Sequence, residues 1–170
     1  GVGKNLQDRY EFGVVSQFDN DTRGIANCTF DPSNDPCLNE YLDEDNKSNH
    51  LYSSNGVIIG HLVRSKSQGP EAAVDLFVFA APGNFPGYAP GWSKKATKPA
   101  DKFTWAILKG QSRNNKGYVK LKNRDPHQTP EINFMNFAEG RDADIEAVME
   151  GVEFARSLNK GGRLSKVIKE

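Results

Sequence analysis

Apolar and polar positions change their period several times along the 170 residues, and each change marks a predicted element. Residues 10–18, YEFGVVSQF, are rich in aromatic and β-branched side chains and predict a strand. GVIIGHLV (56–63) and DLFVFAA (75–81) are short apolar runs without a helical period, bounded by Asn-Gly and Pro-Gly pairs. Such runs predict central strands covered on both faces. FTWAIL (103–108) adds a third. GYVKLKN (117–123) alternates, which predicts Val119 and Leu121 inside and Tyr118, Lys120 and Lys122 outside. EINFMNF (131–137) is a weaker strand candidate. From Asp142 to about Leu158 the period becomes helical, with Ile145, Val148, Met149, Val152 and Ala155 on one stripe. Asp142 is the expected cap, and Gly161-Gly162 the stop. Strands in short-range succession followed by an amphipathic helix predict an α+β fold, a mostly antiparallel sheet flanked by helices on one face.

Two segments interrupt the pattern. Residues 19–50 form a polar excursion of Asp, Asn, Ser and Pro, with one short helix predicted at 36–42. The excursion is not an EF-hand. Counting from Asp19 puts Arg23 at the fifth position and Phe30 at the twelfth; counting from Asp43 puts Lys47 at the fifth and finds no glycine after it. The second interruption, PGNFPGYAPGWS (82–93), alternates three prolines and three glycines with Phe85, Tyr88 and Trp92. This composition excludes helix and ladder and predicts a loop. Its aromatics either pack the loop onto the sheet or line a ligand pocket.

Composition narrows the function classes. With 22 basic and 22 acidic residues the net charge is zero, so nothing draws the chain to nucleic acid or an anionic membrane. Lys94, Lys95 and Lys98 near Trp92 read as a solvated loop face. No apolar run has the length a bilayer requires, and the N-terminus is not signal-like, an inclination toward the cytoplasm that leaves the compartment open. Cys28 and Cys37 lie nine apart and are either a small disulfide loop or two free thiols. N-x-[ST] triplets occur at Asn20, Asn27 and Asn46 and matter only for a secreted eukaryotic chain. None of His50, His61 and His127 sits at a metal or nucleophile-activating spacing, so no metal site and no catalytic group is expected within the chain. His61, inside an apolar run, reads first as a hydrogen-bonded core residue.

Several segments carry a resemblance as a set. GVGKNLQDRY resembles the G-V-G-x-N-L-Q-D-H signature of the glucose–methanol–choline (GMC) oxidoreductases. SSNGVIIGHLVRS and DLFVFAAPGNFPGY are similar to the S-N strand of that family's substrate domain and to the strand and loop that follow it. NNKGYVKLKNRDPHQTPEINFMNFAEGRDADIEAVMEGVEFARSL is similar to its later strands and next helix. The matches keep the family's order from residue 1 to about 158.

The resemblance implies one domain over residues 1–170, the substrate-binding part of a larger FAD-dependent alcohol oxidoreductase. The FAD-binding domain is expected to lie outside this stretch, and so is the histidine that removes the substrate's hydroxyl proton. The chain alone is therefore expected to bind no FAD and to oxidise no alcohol. Gly1, Gly3, Asn5 and Asp8 become cofactor-proximal candidates; Ile58, His61, Phe77, Phe79, Phe85, Tyr88 and Trp92 become substrate-pocket candidates. Two departures matter. Arg9 replaces the signature's final His. Ile58 stands, by register from Ser54-Asn55 and Arg64-Ser65, where choline-oxidising members place a glutamate. Isoleucine cannot pair with a cation, so an uncharged or aromatic alcohol is the expected substrate. The other reading is a free-standing binding module of the same fold, holding an apolar small molecule or a partner chain without catalysis. A domain without its flavin-domain neighbour is also expected to expose an apolar patch and to self-associate.

Overall fold

The structure is a computed structural model and describes residues 1–20, 25–43, 45 and 50–169. Its elements in chain order are β1 (Lys4–Leu6), β2 (Tyr10–Phe18), α1 (Pro36–Leu42), β3 (Ile59–Val63), β4 (Leu76–Pro82), α2 (Trp92–Ala96), β5 (Lys102–Lys109), β6 (Gly117–Lys120), β7 (Glu131–Asn133), α3 (Arg141–Asn159) and β8 (Ile168–Lys169). Five strands form an antiparallel sheet in the order β3-β4-β5-β2-β8, and a second sheet has the order β1-β6-β7. This is the α+β, mostly antiparallel arrangement expected from the pattern of elements.

Register assigns the two faces of the larger sheet. Tyr10, Lys109 and Leu76 share one row, Phe12, Ile107 and Val78 the next, and Val14, Trp105 and Ala80 a third. These rows face α3. The core contains Leu76, Val78, Ala80, Phe103, Trp105 and Ile107 from the sheet with Ala147 and Ala155 from the helix. Gly151 is the point of closest approach, because a Cβ there would stand 2.5 Å from Ile107 Cγ2. Ala147, Gly151 and Ala155 follow at intervals of four, so small residues on one helix stripe let α3 settle against β5.

The helical stripe therefore differs from the one read from apolar period. Val148 is buried, Val152 is partly so, and Ile145 and Met149 are 38% and 50% exposed. Small residues rather than large apolar ones define the buried face. The N-cap is Gly140, with Asp144 rather than Asp142 buried in the first turn.

Two strand expectations also change. The run at 56–63 is not a central strand: β3 lies at the sheet edge, with four of its five residues exposed. An edge strand has a neighbour on one side only, so apolar content was mistaken for burial. In 117–123 the alternation is real but the inside is missing. Leu121 is 76% exposed and Val119 is exposed too, because the small sheet receives no covering layer among the described residues.

A buried ionic cluster joins the sheet to α3. Lys109, with no exposed surface, places Nζ 3.0 Å from Asp75 Oδ2 and 3.7 Å from Asp144 Oδ1, and donates to the Gln111 carbonyl at 2.6 Å. Asp75 also accepts from the Ser65 N–H and Oγ–H at 2.8 and 2.7 Å. Arg113 N–H reaches Asp144 Oδ2 at 2.9 Å. Burial pushes the Asp75 carboxyl up, but the two Ser65 bonds and Lys109 outweigh it, and the group ends below its ordinary value.

Within the excursion, the described residues 25–43 are tied down chemically. Cys28 and Cys37 form a disulfide, which settles the open alternative between a bridge and free thiols. The short helix predicted at 36–42 is α1, capped by Asp35, whose side chain accepts from Cys37 N–H at 3.2 Å. Asp35 is buried and also accepts from Thr29 N–H at 3.1 Å and Tyr52 Oη–H at 2.7 Å. Burial raises its carboxyl, the hydrogen bonds together outweigh that, and the group ends below its ordinary value. Among the triplets, Asn20 and Asn27 are exposed, while Asn46 falls outside the described residues.

Candidate functional site

The other face of the large sheet is free of α3 and carries the aromatic loop. Its rows are Glu11, Leu108 and Phe77; Gly13, Ala106 and Phe79; Val15, Thr104 and Ala81. Gly13 and Ala106 make the middle row low beside Phe79, leaving a depression in the sheet floor. The chain then turns the loop over this depression and fixes it by backbone and hydroxyl contacts.

Thr104 is the bolt. Its Oγ1 donates to the Gly83 carbonyl at 2.7 Å and accepts the Phe85 N–H at 3.0 Å. The Gly83 N–H reaches Lys102 O at 2.7 Å, and the Asn84 N–H reaches Ala96 O at 2.7 Å. Gly13 is required beneath the loop, since a Cβ there would lie 2.2 Å from the Phe85 carbonyl oxygen. The loop runs into α2, a single turn beginning at Trp92, where the sequence had indicated no helix. Phe85, Tyr88 and Trp92 pack edge-to-face with ring centroids 4.9, 5.1 and 5.7 Å apart. That arrangement suits ring quadrupoles and stiffens the loop.

Beneath these rings lies a cavity of about 340 Å³. Its floor is Phe79, Ala106 and Thr104, its loop wall Phe85, Tyr88 and Trp92, and its far wall Ile25, Phe30 and Leu51. The far wall belongs to the cluster built on the disulfide, with Ile25, Cys28 and Cys37 buried and Leu51 and Tyr52 packed on them. So the polar excursion contributes an apolar wall, held by the bridge and by Asp35.

The structure sorts the seven substrate-pocket candidates. Phe79, Phe85, Tyr88 and Trp92 line the cavity together. Phe77 stands behind Phe79, stacked at 4.8 Å. Ile58 is 59% exposed at the open edge and does not line the cavity. His61 is on the opposite face, in the row of Ile107 and Val78, and stacks on Phe154 of α3 at 5.2 Å. It is an exposed edge-strand residue, not the hydrogen-bonded core histidine expected from its apolar neighbours. The one-residue alternation of strands separates it from Phe79.

Glu11 was not singled out from the sequence. It is the one acidic or basic residue lining the cavity, and it makes no side-chain hydrogen bond or ion pair among the described residues. Burial pushes its carboxyl above the ordinary value with no opposing charge or bond. A signal was present: in YEFGVVSQF the alternate positions 11, 13 and 15 read Glu, Gly, Val, a charged residue on an otherwise small and apolar face.

The N-terminal candidates form β1 and its approach. Gly3 donates no open cradle, because the space of its missing side chain is filled by the Val119 carbonyl, 2.0 Å from a built Cβ. The Gly3 carbonyl accepts from Val119 N–H at 2.7 Å. Asn5 is exposed, and Asp8 accepts from the Arg9 N–H at 2.9 Å. Asn5 thus lies within β1 on the small sheet, with Gly1 and Gly3 before it and Asp8 after it. No group of three or more potential metal ligands occurs among the described residues, and none of their helices is long and apolar enough to cross a membrane.

No protein-family profile and no curated protein matches the sequence. Solved structures do share the fold. Two variants of formate oxidase from Aspergillus oryzae RIB40, described for the effect of a mutation on FAD modification, superpose with TM-scores of 0.70 and 0.71 at 20% identity. A further formate oxidase structure gives 0.71 at 21% identity. Each likeness covers 99% of this chain and 32% of the other, so the chain spans about a third of the proteins it matches. At this identity the likeness defines a fold, that of one segment of formate oxidase.

Proposed function

We propose that this chain is the substrate-binding domain of a larger FAD-dependent alcohol oxidoreductase of the GMC type. The observation that carries the reading is the coincidence of two things on one segment. The whole chain takes the fold of a third of an enzyme described for FAD modification, and the helix-free face of that fold holds an aromatic cavity. The motif resemblance supplies the family. FAD held by the rest of the protein would supply the oxidising power, accepting hydride from the alcohol's carbinol carbon.

The chain's own residues position the alcohol. Phe79 and the loop rings take up its apolar part, the Thr104 bolt keeps the loop down, and the disulfide cluster excludes water from the far side. Apolar walls and Ile58 favour an uncharged or aromatic alcohol. Ile59 and Leu62 of the edge strand and Ile58 just before it, all exposed, are the surface we assign to contact with the remainder of the parent protein; without it, self-association through this edge is the expected behaviour.

The test uses the full-length protein purified with its flavin. Under anaerobic conditions, benzyl alcohol is expected to bleach the flavin absorbance. A flavin that stays oxidised with aromatic and aliphatic alcohols alike overturns the reading and leaves a non-catalytic binding module. The 170-residue chain, incubated with FAD and dialysed, is expected to emerge colourless; retained flavin absorbance would contradict its assignment as the substrate side alone.

A further inference from the structure

We propose that Glu11 is the specificity-determining residue of the aromatic cavity, its carboxyl accepting a hydrogen bond from the hydroxyl of a ring-bearing alcohol whose ring lies against Phe79 and the loop aromatics. This rests on the reading that the cavity is the alcohol side of the protein.

Three observations converge on it. The cavity of about 340 Å³ has room for a small ring compound. Phe79, Phe85, Tyr88 and Trp92 offer that ring aromatic surface, while Glu11 is the one carboxylate in the lining. And Glu11 is unpartnered among the described residues, whereas Thr104 is engaged with the loop and Asn55 Oδ1 accepts from the Val57 N–H. A half-buried carboxyl without a protein hydrogen bond carries a partial desolvation cost that no protein group offsets. A ligand donor relieves it. Placement agrees: Glu11 is one row from Gly13 and Ala106, at the low part of the floor, and two strands from Phe79. A ligand can span the two, ring on Phe79 and hydroxyl on Glu11.

A hydroxyl is preferred over an ammonium on the same observations. Partial burial raises the Glu11 carboxyl above its ordinary value and so weakens its hold on a cation, and the remaining walls would have to desolvate a cation without a second acidic group to hold it. Discrimination by such a bond is strong because a ligand lacking the donor leaves the carboxyl bare.

The experiment titrates the isotope-labelled chain with toluene, benzyl alcohol and benzylamine, following the Trp92 indole N–H resonance by NMR. Trp105 is buried and its Nε1–H donates to Asn159 Oδ1 at 2.8 Å, so it serves as the internal reference. Wild type is expected to bind benzyl alcohol about tenfold more tightly than toluene. Glu11→Leu should abolish that preference, and Glu11→Gln, which keeps an acceptor, should retain it within about threefold. Circular dichroism of both variants checks that they are folded. Equal affinity for toluene and benzyl alcohol in wild type, or a preference that survives Glu11→Leu, overturns the role of Glu11 while leaving the cavity's ring binding intact. A tenfold preference for benzylamine lost in Glu11→Gln overturns the hydroxyl assignment in favour of a cation. Absence of any perturbation by all three compounds overturns the proposal together with the reading on which it rests.

Discussion

Asp75→Asn probes the ionic lock between the sheet and α3. In wild type, Asp75 faces Lys109 Nζ at 3.0 Å with both side chains out of solvent, and takes two further bonds from Ser65. Asparagine keeps the volume and one acceptor oxygen but removes the charge. Lys109 then retains Asp144 at 3.7 Å and the Gln111 carbonyl at 2.6 Å. Removing one partner of a buried pair costs about 3–5 kcal/mol. The surviving contacts place this substitution at the lower end, about 3 kcal/mol, equivalent to roughly 6–12 °C in Tm for a chain of this length. Urea unfolding of wild type, Asp75→Asn, Lys109→Met and the double variant measures it. The double variant should lose less than the sum of the two single losses, with a coupling of at least about 1 kcal/mol.

The acid limb gives an independent readout. Because the folded Asp75 carboxyl lies below its ordinary value of 3.8, its contribution is full above that value and disappears as pH falls through the lowered folded value. Wild type should therefore lose stability below about pH 4 more steeply than Asp75→Asn does. A single variant within about 0.5 kcal/mol of wild type, or additive losses in the cycle, would refute the view that this pair holds the helix to the sheet.

Gly13→Ala places a methyl into the Phe85 carbonyl, so the loop must lift; a loss of about 1–3 kcal/mol and faster amide exchange at Phe85 are expected in hydrogen-exchange mass spectrometry. Unchanged exchange would mean the loop does not rest on Gly13. Thr104→Val strips both loop contacts from a buried hydroxyl and should cost about 1–3 kcal/mol with the same exchange signature. Reducing Cys28–Cys37 should raise exchange at residues 25–43 and 50–57 while β4 and β5 stay protected, at a cost of about 2–4 kcal/mol; equal loosening of the central strands would refute the separate anchoring of that wall. His61→Ala removes one stacked pair with Phe154, so about 1 kcal/mol or less should be lost with no change in cavity binding.

Elements came readily from local pattern because helix and strand periods are imposed by backbone geometry within a few residues. The span of β2, the short helix after Asp35, the strands at 75–81 and 103–108 and the long helix were all legible in that way. The aromatic loop was legible too, from its proline and glycine spacing. What could not be read locally was the layer on each side. The run at 56–63 is as apolar as a core strand yet forms an edge, and Ile145 and Met149 suit a core yet face solvent. Burial depends on which element arrives from elsewhere in the chain, and α3 approaches through Gly151, a residue with no hydrophobic signal.

The same division holds for the candidate site. Sequence by itself determined that Phe79 and the three loop rings exist as a local aromatic group, and that His61 and Phe79 are strand residues. Tertiary structure decided that His61 and Phe79 lie on opposite faces, because register across β3, β4 and β5 sets the side each residue takes. It also decided that Ile25, Phe30 and Leu51 wall the cavity beside the Cys28–Cys37 disulfide, and that Glu11, far away in sequence from the loop, comes to stand in its lining without a partner among the described residues. Local pattern governs which way the backbone runs; only packing between distant segments determines which polar group is left without a partner.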